Sequence, residues 1–66
     1  MHIQLNGEAY TLSETLSVAG LIEHLQLAGR RGAVELNFEI VPRSLYETTL
    51  LKEGDALEIV HAIGGG

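Results

Sequence analysis

The 66-residue sequence predicts an α+β roll, a mixed β-sheet with one main helix packed on one face. Three observations predict it. Two alternating apolar runs flank the pair Asn6-Gly7. One stretch, 18–25, repeats its apolar residues at helical spacing, and two further alternating runs follow it.

Residues 1–12 read as a β-hairpin. Ile3 and Leu5 alternate with His2, Gln4 and Asn6, and Tyr10 and Leu12 alternate with Ala9 and Thr11. Asn6-Gly7 between them favours a type I′ turn, because both central residues need positive φ. A helix follows, with Ser17 as its N-cap and Val18, Leu21, Ile22 and Leu25 at i, i+3, i+4 and i+7 on one apolar stripe. Leu16 is placed to pack on Leu21 as a hydrophobic staple, while Gly20 stands where a glutamate would complete a capping box. Gly29 is the expected left-handed C-cap, and Arg30-Arg31 suit the negative end of the helix dipole better than a phosphate contact.

Residues 33–38 alternate again, with Val34, Leu36 and Phe38 on one face. Ile40-Val41 is a short apolar pair stopped by Pro42, which cannot donate to a ladder. Residues 43–49 suit a single helical turn around Leu45 and Tyr46, and Leu50 and Leu51 are both expected in the core. Glu53-Gly54-Asp55 is a turn into a last strand over 56–63. In that strand Leu57 and Ile59 face the core, whereas Glu58, Val60 and Ala62 face outward. In a roll of this kind the final strand runs through the middle of the sheet, beside the first. That placement would hold the base of the tail rigid and leave its tip free.

Length and charge narrow the function. A chain of 66 residues leaves room for one domain, 1–66, without a linker or repeat. Domains of this size bury only ~60% of their unfolded surface, so a pocket holding both substrate and catalytic groups has little space. An enzyme acting alone is disfavoured. Nine acidic residues against four basic ones give a net charge of −5. This weighs against nucleic acid and anionic membrane surfaces and favours a basic protein partner. Without cysteine there is no disulfide, thiolate metal site or cysteine nucleophile. The first residues alternate, unlike a signal peptide, and no apolar run reaches membrane-spanning length, so the expected location is cytoplasmic.

Candidate chemistry gathers at the end of the sequence. His2, His24 and His61 have no metal-ligand spacing, although His2 and His61 would approach if the first and last strands were neighbours. The carboxylates are scattered and the hydroxyls lack a nucleophile context. What remains is Gly64-Gly65-Gly66. Glycine lacks a Cβ, so such a tail can enter a narrow slot, and the four residues from Ile63 reach ~13–14 Å when extended. An α-carboxylate has a pKa of about 3.3–3.7 and is a poor electrophile at neutral pH. It becomes reactive by attacking the α-phosphate of ATP to form an acyl-adenylate, from which a sulfur nucleophile can displace AMP. A partner must supply the ATP site and magnesium. Gly66 is therefore the expected modified residue, with Gly64 and Gly65 threading the partner's active site. Val60, Ala62, Ile63 and Phe38 are the candidate docking residues, the patch gaining weight if Phe38 or Ile40 is exposed.

The ending LEIVHAIGGG, the preceding EGDALEIV and the middle segment ELNFEIVPRSLY resemble the ThiS family, the sulfur carriers of thiamine biosynthesis. The resemblance covers essentially the whole chain, and Asn37, Val41-Pro42-Arg43 and the Gly54-Asp55 turn make it more specific than the diglycine alone. It implies a β-grasp (ubiquitin-like) fold, matching the roll above. It also implies that Gly66 is adenylated by a ThiF-like enzyme, converted to a thiocarboxylate with sulfur from a donating enzyme, and used by thiazole synthase (ThiG). The chain itself would bind no cofactor. The small subunit of molybdopterin synthase shares fold and tail but is usually longer. A β-grasp interaction module with an inert tail is the alternative of a different class, and modification of Gly66 separates it from a carrier.

Overall fold

The computed structural model describes residues 1–27 and 32–61. Strands β1 (His2–Leu5) and β2 (Glu8–Thr11) form the expected hairpin, with Leu5 opposite Glu8 across a two-residue loop. Asn6 and Gly7 take φ of 51° and 82°, the positive values that a type I′ turn demands.

Helix α1 (Val18–His24) follows, and all four of its first amide groups find acceptors. The Ser17 hydroxyl accepts from Gly20 N at 3.0 Å, and the Ser17 carbonyl accepts from Leu21 N. Val18 N and Ala19 N donate to the carbonyls of Thr49 and Tyr46, both at 2.9 Å. The 46–49 loop thus satisfies the two helix-start amides that Ser17 does not reach. The other end departs from expectation. The helix stops at His24, and Gln26, with φ of 61°, takes the left-handed position that had been assigned to Gly29. Gln26 N donates to Glu23 O and Leu27 N to Ile22 O, both at 2.9 Å, which is the Schellman pairing. Leu27 and Ile22 both pack against the core, supplying the apolar contact that accompanies this motif. Gly29, Arg30 and Arg31 lie outside the described residues.

Strands β3 (Gly32–Leu36) and β4 (Glu39–Ile40) make a second hairpin, followed by a short 3-10 turn, Arg43–Leu45. Strand β5 (Ala56–His61) then enters the centre of the sheet. The order is β2-β1-β5-β3-β4, with β5 parallel to β1 and antiparallel to β3. The parallel join between the first and last strands, with one helix crossing between hairpins, is the arrangement expected of the α+β roll.

The core lies between the sheet and α1. Ile3, Leu12, Val18, Leu21, Val34, Val41, Leu51, Leu57 and Ile59 are buried in it. Leu16, Ile22 and Leu25 pack against its margin. One expected core placement fails. Leu50 is exposed because Leu50 and Leu51 are consecutive in extended chain, so their side chains point to opposite sides, and Leu51 takes the interior. Phe38 is exposed because β3 ends at Leu36, two residues before the alternating pattern does. No helix among the described residues is long and apolar enough to cross a membrane.

Candidate functional site

The glycine tail follows β5 in the sequence, and β5 is paired on both edges. Side chains from both hairpin turns reach it. Asn6 sits in the β1–β2 turn, where its amide donates to Leu57 O and its Oδ1 accepts from Ile59 N, each at 2.8 Å. Asn37 sits in the β3–β4 turn, where its amide donates to Ala56 O at 2.7 Å and its Oδ1 accepts from Ala56 N at 3.0 Å. Asparagine tolerates positive φ and carries an acceptor able to copy a backbone ladder, so one residue serves both as turn and as brace.

Asp55 completes the brace at the start of β5. Its residue exposure is 8%, and its two carboxylate oxygens are spent on two partners. Oδ1 accepts from Asn37 Nδ2 at 3.1 Å, and Oδ2 accepts from Lys52 N at 2.8 Å. Asp55 O also accepts from Gln4 N at 2.8 Å. Gly54 takes φ of 85°, which admits the tight turn that aims Asp55 inward. The sequence singles out Asn37 and Gly54-Asp55 as a pattern. Their common purpose, tying the second hairpin to the exit strand, is visible only in three dimensions.

Outward from the core, the open face of the sheet carries the second feature. Phe38 is 87% exposed, Ile40 69% and Val60 67%. Phe38 also takes φ of 71°, a conformation that costs a bulky side chain energy and that glycine would fill more cheaply. Val60 lies opposite Ala33, and Ile40 opposite Glu35, so both apolar side chains share the face away from α1. The condition placed on the docking patch is met by both residues, Phe38 and Ile40. Ala62, Ile63, Gly64, Gly65 and Gly66 lie outside the described residues, so the structure bears on the tail only through the strand that leads to it.

The histidines do not converge. His2 Nδ1 lies 3.2 Å from Glu53 Oε2, and His24 meets Tyr10 edge-on with ring centroids 6.3 Å apart. The first and last strands are neighbours, yet the backbone carbonyl of His2 accepts from Gly54 N, at the opposite end of β5 from His61. Among the described residues no cluster of three or more potential ligands could hold a metal ion. The Glu53 carboxyl is held below its ordinary value. The backbone amide of His2, 2.9 Å from Oε1, is the main cause; partial desolvation opposes it, and the His2 side chain adds to it.

Comparison with known proteins places this geometry. A sequence model described as the ThiS family matches residues 3–66. The chain belongs to the ThiS family. It is similar to the sulfur carrier protein ThiS of Bacillus subtilis, with 35% identity over 65 residues that cover 97% of this chain and 98% of that protein. The crystal structure of the thiamine biosynthesis protein ThiS from Geobacter metallireducens covers both chains fully, with a TM-score of 0.85 and 36% identity. That likeness extends the β-grasp assignment to the whole architecture. A thiazole synthase of Paramagnetospirillum magneticum is 44% identical over all 66 residues, but this chain spans only 20% of its length. In that relative a ThiS-like segment belongs to a much longer polypeptide.

Proposed function

We propose that this chain is a sulfur carrier for thiazole formation in thiamine biosynthesis, a protein substrate with no catalytic residues of its own. A ThiF-like partner supplies ATP and magnesium. The Gly66 carboxylate oxygen attacks the α-phosphorus of ATP, pyrophosphate leaves, and an acyl-adenylate results. Hydrosulfide released by a donating enzyme then attacks the same carbonyl carbon, forming the C–S bond as the C–O bond to AMP breaks and AMP leaves with the electron pair. The product is a C-terminal thiocarboxylate, which thiazole synthase consumes. Gly64 and Gly65 thread the partner's slot, while Val60, Ala62, Ile63 and Phe38 belong to the docking surface.

The observation that carries this proposal is the family match running through the three glycines to residue 66. It is supported by a β5 strand braced from both hairpin turns immediately before them. Such bracing has a chemical use, since a misplacement of about 1 Å at a reacting group can cost ~10²-fold in rate. The test is the intact mass after incubation with the cognate activating enzyme, ATP and a sulfur source. The expected gain is one oxygen replaced by sulfur, located on the peptide ending at Gly66. Sulfur on any other peptide, or none with an active partner, overturns the proposal.

A further inference from the structure

Two glutamates face each other on the open side of the sheet. Glu35 of β3 is the register partner of Glu58 of β5, and the alternation that buries Val34, Leu57 and Ile59 turns both toward the exposed face. Directly opposed side chains in antiparallel strands have Cβ atoms about 4.5–5.5 Å apart, and like charges there are destabilising. Among the described residues neither carboxylate makes an ion pair. The same two residues line a shallow depression with Phe38, Gln4 and Ala56. Ile40 stands on the other side of Glu35, and Val60 lies two residues along β5 from Glu58.

The surroundings decide what such a pair would take. A metal ion needs further ligands, and no three-ligand group exists among the described residues. Lysine is a compact, strongly hydrated point charge, poorly matched to an apolar rim. Arginine presents a fork of donors able to satisfy two carboxylates, and its flat faces are weakly hydrated and stack on aromatic rings. The exposed Phe38 ring beside two carboxylates offers both halves of that recognition.

We infer that Glu35 and Glu58, flanked by Phe38, Ile40 and Val60, form a receptor for an arginine side chain of the thiazole synthase that consumes the carrier's sulfur. The partner is chosen because a relative named thiazole synthase carries a segment matching this whole chain. The inference rests on the proposed carrier function and specifies how one of its partners is recognised. The repulsion within the free protein is relieved when the guanidinium arrives, so the pair lowers stability before docking and strengthens docking itself.

Titration calorimetry of the full chain with the cognate thiazole synthase tests it. Three proteins are compared: wild type, Glu35→Gln with Glu58→Gln, and a control with Glu14→Gln and Glu47→Gln that removes the same charge elsewhere. The receptor variant should bind at least about tenfold more weakly, with a melting temperature equal to or above wild type. The control should lose much less affinity. Equal losses in the two variants, a receptor variant that melts earlier, or wild type that does not bind thiazole synthase would each overturn the inference. Tail loading of wild type by the activating enzyme is measured in parallel. Its failure would overturn the carrier function, whereas normal loading with equal losses in both variants would overturn only the arginine receptor.

Discussion

Replacing Asp55 by alanine removes two hydrogen bonds to a charged acceptor at once, from Asn37 Nδ2 and from Lys52 N. Bonds of that kind contribute about 1.5–3 kcal/mol each, but water can reach the exposed Asn37 side once the carboxylate is gone. The expected loss is therefore about 2–4 kcal/mol. Domain stability of roughly 0.05–0.15 kcal/mol per residue allows a chain of this length only about 3–10 kcal/mol in total, so the loss is a large fraction. At about 4–8 °C per kcal/mol, the melting temperature should fall by roughly 10–25 °C. Asp55→Asn keeps one acceptor and should lose about half as much. Circular dichroism melts of Asp55→Ala, Asn37→Ala and the double variant close a cycle in which the pair should show a coupling of about 0.5–3 kcal/mol. A melting point within about 3 °C of wild type, or strict additivity of the two substitutions, would refute the brace.

Two further outcomes follow from the same structure. Leu57→Ala, in the central strand with 1% exposure, should cost about 2–5 kcal/mol while the folded fraction is still adenylated; Gly65→Val should leave the melt unchanged and nearly abolish ATP-pyrophosphate exchange. Early melting or normal exchange by Gly65→Val would count against a slot-threading tail. Glu53 is the second case: its carboxyl is held below its unfolded value, so the stability it contributes is present at neutral pH and lost as pH falls through the folded value. Urea midpoints should therefore drop more steeply with acid in wild type than in Glu53→Gln, and parallel acid limbs would refute the linkage.

Much of the architecture is legible in the sequence because several signals are local. Asn6-Gly7 specifies its turn, Ser17 and the stripe from Val18 specify the helix, and the period-two pattern sorts Leu57 and Ile59 from Glu58 and Val60. The ends of β3 and α1 are less legible, because pattern alone does not say where an element stops. Phe38 continues the alternation of β3 on paper, yet Asn37 has already turned the chain, and tertiary bonds from Asn37 to Ala56 and Asp55 determine that turn. Gln26 displaces Gly29 as the left-handed residue because Glu23 and Ile22 offer carbonyls to its own amide and to that of Leu27. The docking face was legible in outline at Val60, whereas the opposition of Glu35 and Glu58 depends on strand register, which no single segment encodes.

The distribution of strain and support also bears on how so small a chain can serve as a carrier. Both hairpin turns spend their asparagine side chains on β5, so the strand leading to the tail is fixed by residues more than fifteen positions away in sequence. The hairpin that holds Asn37 against β5 presents Phe38 at positive φ and high exposure on the next residue. Bracing and presentation are thus coupled in two adjacent residues, one turned toward the exit strand and one toward solvent. A partner that contacts Phe38 thereby meets a point held in fixed relation to the start of β5, since Asn37 bonds Ala56 directly. In the proposed function, docking on the sheet would set the origin from which the tail is measured into the partner's active site. A carrier can leave catalysis to its partners only if that origin does not drift, and the two asparagines and Asp55 are where this sequence secures it.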